Sequence, residues 1–290
     1  MGIIQSGVPR ARHTPIYRAF LLDAAIVSLL FLGVYFTRAI ASSTFVTWDE
    51  PAWVYRSANF LMALLRRDPG DTLLTGHPGV LIMWSGAASL AWSALVHKTV
   101  STSQLAAIDA LPGLDVHDPE VMRQLGLLLP AAKGGIALLH ALAIVGVYAL
   151  LRRLLGRRYA VAGALLLALD PFYLGHSRVL HMDALTAELM LLSLLSILVY
   201  ARDGTRRHLL LSGGVAALAI LTKSYGLVIV PLAGLALIAP LIAPALRHKS
   251  AAPADGCRAA PTLRAGVGCS GGWPEMWCCG AAWPCWCLLF

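Results

Sequence analysis

"LLRRLLGRRYAVAGALLLALDPF" runs from Leu150 to Phe172. An apolar run ends in it, four arginines follow around one glycine, and a second apolar run begins. A water-soluble domain has no reason to set two such runs back to back. In a bilayer the arrangement is ordinary: two helices cross the hydrocarbon, and the arginines of the link stay in water on one side. The rest of the chain repeats the pattern. Only 13% of the 290 residues are charged and 58% are hydrophobic, with a mean hydropathy of +0.71, where a soluble domain is about a quarter charged. Apolar runs fall at about 20–40, 134–151, 159–175, 182–200, 208–225 and 226–246. Backbone groups in lipid must pair internally, and the alternation of a barrel strand is missing, so the runs are helices. The fold class expected is all-α, a polytopic transmembrane bundle with amphipathic helices on its outer face. The first run is too long for a cleaved signal and reads as an anchor.

The net charge of +8 does not point to nucleic acid. The basic residues sit beside the runs: Arg10, Arg12 and Arg18; Arg152, Arg153, Arg157 and Arg158; Arg202, Arg206 and Arg207; Arg247 and Lys249. Such clusters are cytoplasmic by the positive-inside rule. Placing all four inside gives about six crossings only if a seventh run, Gly79 to Val96, stays on the outer side. The expected domains are then a cytoplasmic N-terminus (1–19), a membrane domain (20–246) with an outer loop at 41–122, and a tail (247–290). The tail carries all six cysteines, in a spacing that fits no metal motif, and four of the eight tryptophans. It is expected to be non-native, as if a truncated chain ended in another reading frame, and is set aside.

That topology collects ionisable residues on the outer face. Asp49, Glu50, Arg56 and His77 come from the first loop, "TWDEPAWVYRSANFLMALLRRDPGDTLLTGHPGV" (Thr47 to Val80). Arg178 and Asp183 come from "LDPFYLGHSRVLHMD" (Leu169 to Asp183), and Lys223 from "LTKSYG". Ionisable groups at membrane helix ends are costly and often functional. After Pro51 the loop reads as an amphipathic helix lying in the headgroup plane, with Trp53, Ser57, Phe60, Leu61, Leu64 and Leu65 on one face. A carboxylate at its N-terminus is held ionised by the helix dipole, as a general base needs, or it simply caps the helix.

The order of "WDEPAWVYRSANFL", "HPG", "LLRRLLGRRYAVAGALLLALDPF", "HSRVLHMDAL" and "LAILTKSYGLVIVP" resembles the polytopic glycosyltransferases that use polyprenyl-phosphate sugars. Protein O-mannosyltransferases and the lipid A aminoarabinose transferase are members. The likeness covers about residues 15–246; relatives often have His-Pro-Pro where this chain has His-Pro-Gly, and they carry several more crossings. The resemblance implies that Asp49 and then Glu50 are catalytic. It implies that His77, Asp183 and Lys223 belong to the donor site, and Arg56 and Arg178, cations on the same outer face, are read as further donor-binding residues. It implies transfer of a sugar from a prenyl phosphate to a hydroxyl of a protein, lipid or glycan at the outer face of the plasma membrane, as in protein glycosylation of the cell envelope. Membrane lipids would be partners and nucleic acid would not. No cofactor is required by this reading; a divalent metal held by His77, His176, His181 and Asp183 is the alternative. Other readings are a transporter or lipid flippase using Lys133, Asp183 and Lys223, and an inactive truncated fragment.

Overall fold

The structure is a computed structural model that describes residues 14–238, apart from Ala41, Phe45, Val46 and His77. The tail at 247–290, the end of the run at 226–246 and His77 therefore lie outside the described residues. Every regular element among those described is helical: α1 (Thr14–Ala39), α2 (Glu50–Arg66), α3 (Val80–Trp92), α4 (Thr102–Asp109), α5 (Pro119–Leu155), α6 (Arg157–Leu169), α7 (Pro171–Ser177), α8 (Asp183–Asp203) and α9 (Arg206–Thr222), with short tighter turns at Gly70–Thr72 and Ser224–Val228. The all-α polytopic bundle read from the sequence is the architecture found.

Two glycines make the hairpins. Gly156 between α5 and α6 (φ 86°) and Gly204 after α8 (φ 68°) both adopt the left-handed side of backbone space, where a side chain is strained. Around these hairpins one end of the bundle is basic. Arg157 Nε reaches Asp23 Oδ1 at 2.9 Å, Arg152 pairs with the same carboxylate, and Tyr148 donates to it at 3.2 Å. Arg202 donates to the Leu154 carbonyl at 3.2 Å. The start of α1 thus meets the end of α5, so these two helices run antiparallel. At the other end, Arg38 in the last turn of α1 donates to the Ala168 carbonyl of α6 at 3.1 Å.

α1 packs through a narrow stripe, Leu30, Val34 and Arg38, while Phe20, Leu21, Leu22, Leu29, Leu32 and Phe36 stay exposed. That much bare apolar surface is tolerable in lipid and not in water. By length and composition Tyr17–Ala39, Pro119–Leu155 and Asp183–Asp203 can each cross a membrane, and so can Val80–His97. The run at 159–175 is not one straight helix. Asp170 accepts the Tyr173 amide at 2.7 Å and Pro171 follows, so α6 ends and α7 restarts with a 64° bend. Proline cannot continue the preceding hydrogen-bond ladder, which is why the break falls there.

α5 is longer than its apolar run. Its 37 residues span about 55 Å at ~1.5 Å each, against a hydrocarbon core of about 30 Å. The stretch before Lys133 carries a second core, in which Trp53, Phe60, Ile82, Leu90, Leu125, Leu128, Leu129 and Leu180 pack together. Here the expectation for α2 needs correcting. α2 packs against α3, α4 and α5, so protein rather than headgroups covers its apolar face. Its buried side is Trp53, Val54, Ser57, Ala58, Asn59, Phe60 and Leu61, while Leu64 and Leu65 point out. Small residues permit this packing. A Cβ on Gly135 would sit 2.1 Å from the Ser85 carbonyl oxygen of α3, and one on Gly86 would sit 2.3 Å from Ser57 Oγ of α2, the close approach that membrane helices use.

A buried ion pair pins the start of α2. Glu50 Oε1 lies 2.7 Å from Lys133 Nζ, with side-chain exposures of 0% and 2%. Lys133 also donates to the Thr44 carbonyl at 3.1 Å, and Glu50 accepts the amides of Thr47 at 3.2 Å and Leu180 at 2.9 Å.

Two outcomes follow from this frame. Glu50→Ala should destabilise the purified protein by about 3–5 kcal/mol, because it leaves the Lys133 ammonium buried without its partner; a denaturation midpoint equal to that of the parent would refute the pairing. In a background with its native cysteines changed to serine, Ser103→Cys and Thr205→Cys should react with an impermeant thiol reagent from opposite sides of the membrane. Labelling of both from one side would break the two-ended arrangement.

Candidate active site

Three segments remote in sequence meet at the end of the bundle opposite the Asp23 cluster. They enclose a cleft of about 410 Å³ lined by Asp49, Trp53 and Arg56 from the α2 region, His181 and Met182 before α8, and Lys223 and Tyr225 after α9. A larger apolar groove of about 670 Å³ lies between α1, α3 and α5, but its lining, which includes Phe31, Tyr35, Trp92 and Leu138, carries no charged side chain.

Asp49 occupies the cap position of α2 without capping it: its carboxylate accepts no hydrogen bond from the helix amides. It turns toward the cleft, 62% exposed, with Oδ2 at 3.3 Å from His181 Nε2. His181 Nδ1 faces Asp183, at 3.4 Å from its amide and 3.5 Å from Oδ2. Acceptance of that amide by Nδ1 puts the ring proton on Nε2, directed at Asp49. Asp183 in turn pairs with the ammonium of Lys223, and its carbonyl accepts the Tyr225 hydroxyl at 3.1 Å. Lys223 lies 5.3 Å from the centre of the Tyr225 ring. The result is a continuous line of polar contacts: Asp49, His181, Asp183, Lys223.

Arg56 stands on the far side of Asp49. Its guanidinium stacks over the Trp53 ring at 4.7 Å, a favourable placement for a planar cation. Burial pushes its pKa below the ordinary arginine value, and the nearby Asp49 carboxylate pulls it back up. The cleft therefore offers two cations, Arg56 and Lys223, next to an accessible carboxylate. Such a set can hold an anion and accept a proton within one volume.

Of the residues expected from sequence, Asp49, Arg56, Asp183 and Lys223 come together here. Glu50 does not line the cleft: its carboxylate is wholly buried against Lys133 and the Leu180 amide, a setting that leaves no approach for an acceptor hydroxyl. Arg178 is also elsewhere, donating to the Ile40 carbonyl at 2.6 Å and so tying the loop before α8 to the end of α1. His77 lies outside the described residues. Among those described, no three His, Cys, Asp or Glu side chains converge as a metal site. Two members of the cleft were not picked out as site residues from sequence. His181 enters there only as a candidate ligand in the alternative metal reading, and Tyr225 only as the aromatic two residues after Lys223.

Residues 131–252 match the family described as dolichyl-phosphate-mannose-protein mannosyltransferase. No curated protein and no solved structure matches the chain. The matched stretch contains α6 to α9 and most of α5, and hence His181, Asp183, Lys223 and Tyr225. The long apolar helices and the match together support an integral membrane protein, and this stretch, less than half of the chain, is similar to membrane glycosyltransferases of that superfamily.

Proposed function

We propose that the cleft transfers a sugar from a polyprenyl-phosphate donor to an acceptor hydroxyl at the outer face of the plasma membrane. The observation that carries this reading is the meeting of Asp49, Arg56 and Lys223, from segments up to 174 positions apart in the chain, around one cleft at the end of the bundle opposite the basic hairpins. An outer-face site follows if those hairpins are cytoplasmic.

The chemistry assigned to each residue is simple. The acceptor oxygen attacks the anomeric carbon, the bond from that carbon to the phosphate oxygen breaks, and the prenyl phosphate leaves with the bonding pair. Asp49 takes the hydroxyl proton. Lys223 and Arg56 stabilise the charge that grows on the leaving phosphate. An ammonium has three N–H donors; the one that meets Asp183 keeps Lys223 in place and leaves two to face phosphate oxygens. His181 orients Asp49. Glu50 serves as a clamp: it binds the Leu180 amide, so its neighbour Asp49 and the neighbour of Leu180, His181, are drawn to one spot.

Asp49→Asn tests the base. Asparagine keeps the shape and removes the basicity, so transfer should fall by about 10²–10⁴-fold with an unchanged melting temperature, since no cap is lost. Near-parental transfer would remove Asp49 from the chemistry. Lys223→Ala and Arg56→Ala should each weaken binding of a prenyl phosphate that carries no sugar. Parental affinity in both variants would place the phosphate elsewhere.

A further inference from the structure

Beneath the cleft, helices α1, α5, α7 and α8 bring ionisable side chains together in a region that reads as apolar. Arg38, His140 and Glu188 are buried, with exposures of 1%, 0% and 1%. His140 Nδ1 lies 2.8 Å from Glu188 Oε2. Arg38 reaches the Ala168 carbonyl, in the core against which Tyr173 packs, and the Tyr173 hydroxyl reaches the carbonyl of Ala184, one turn before Glu188 on α8. Arg38 Nε, His140 Nε2 and Glu188 Oε1 are buried without a hydrogen-bond partner.

The chemistry assigned to the cleft uses none of these groups. Their contacts show what they do hold. Arg38 donates to the Ala168 carbonyl at the end of α6. The Tyr173 hydroxyl donates at 3.2 Å to the Ala184 carbonyl in the first turn of α8. Asp183 is the residue before Ala184, and Glu188 follows it by five positions, about one and a half turns. The cluster therefore grips α8 just inside the residue that pairs with Lys223. Apolar side chains of like volume would bind these helices as strongly, and often more strongly, than a buried ion pair. A hydrogen-bonded polar set differs in accepting a single register, because any slip leaves a buried polar group without its partner.

We propose that Arg38, His140, Tyr173 and Glu188 form a positioning cluster that fixes the first turn of α8 and thereby holds Asp183 against Lys223. The value of that placement for sugar transfer rests on the proposed function; the placement itself does not. The test is the reactivity of Lys223 toward a small acylating reagent, read by peptide mass spectrometry relative to the exposed Lys98, on the purified full chain in detergent. Glu188→Gln should lower the melting temperature, because the buried His140 loses its carboxylate partner. The double variant His140→Leu with Glu188→Leu, which removes the buried pair outright, should recover it, and in that stable protein Lys223 should label several-fold faster relative to Lys98. A recovered melting temperature with an unchanged labelling ratio would reduce the cluster to a stability element and overturn the proposal. If the double variant fails to fold, Tyr173→Phe decides. It removes one hydroxyl, and a raised ratio supports positioning while an unchanged ratio rejects it. Sugar transfer is measured on the same samples. A parent without transfer but with the expected labelling pattern would sink the functional reading and leave the positioning intact.

Discussion

The buried pair between Glu50 and Lys133 is the contact on which the cleft depends. It is made by the first residue of α2 and by a lysine midway along α5, and the same carboxylate accepts the amide of Leu180 in the link before α8. One side chain thus gathers three elements. Its consequence is geometric: residue 49 precedes residue 50, residue 181 follows residue 180, and the two neighbours meet at 3.3 Å. In this account the adjacent acids of the first loop divide the labour. One is spent on structure and leaves the other free to face the cleft.

The same constraint orders the rest of the bundle. A charge removed from water is tolerated when it is paired and hydrogen-bonded. At the basic end, Asp23 neutralises two of the link arginines and ties α1 to the α5–α6 hairpin. In the interior, Glu188 faces His140 at 2.8 Å. At the cleft, Asp183 meets Lys223. Arg56 has a different solution, stacked on the Trp53 ring with Asp49 nearby. It is the cation of the cleft whose position owes most to an aromatic face, which leaves its fork of N–H donors suited to a phosphate.

Much of the bundle was legible in the sequence because lipid imposes simple rules. Uninterrupted apolar runs become helices, and arginines mark the hairpins, so α1, α6, α8 and α9 lie close to where the runs placed them. The acidic loop, Asp183 and Lys223 were legible as charges at helix ends. What escaped the sequence was decided by packing. α2 has the pattern of a helix resting on headgroups, yet the first half of α5, α3 and α4 supply a protein surface for it, and no periodicity announces a partner. The adjacent acids Asp49 and Glu50 look equivalent in a string; which one turns inward is settled by Lys133, 83 positions away. His140 and Glu188 were in plain view as ionisable residues inside apolar runs, a signal that deserved more weight.

The central claim is that the carboxylate of Asp49 and the cations Lys223 and Arg56 serve one site. A structure of the protein in nanodiscs with a bound prenyl phosphate addresses it most directly. The account predicts that the phosphate lies in the cleft, within hydrogen-bonding distance of Lys223 Nζ, with the Asp49 carboxylate facing the side from which a sugar would extend. A phosphate bound in the apolar groove between α1, α3 and α5, or Asp49 and Lys223 on separate surfaces of the folded protein, would contradict it.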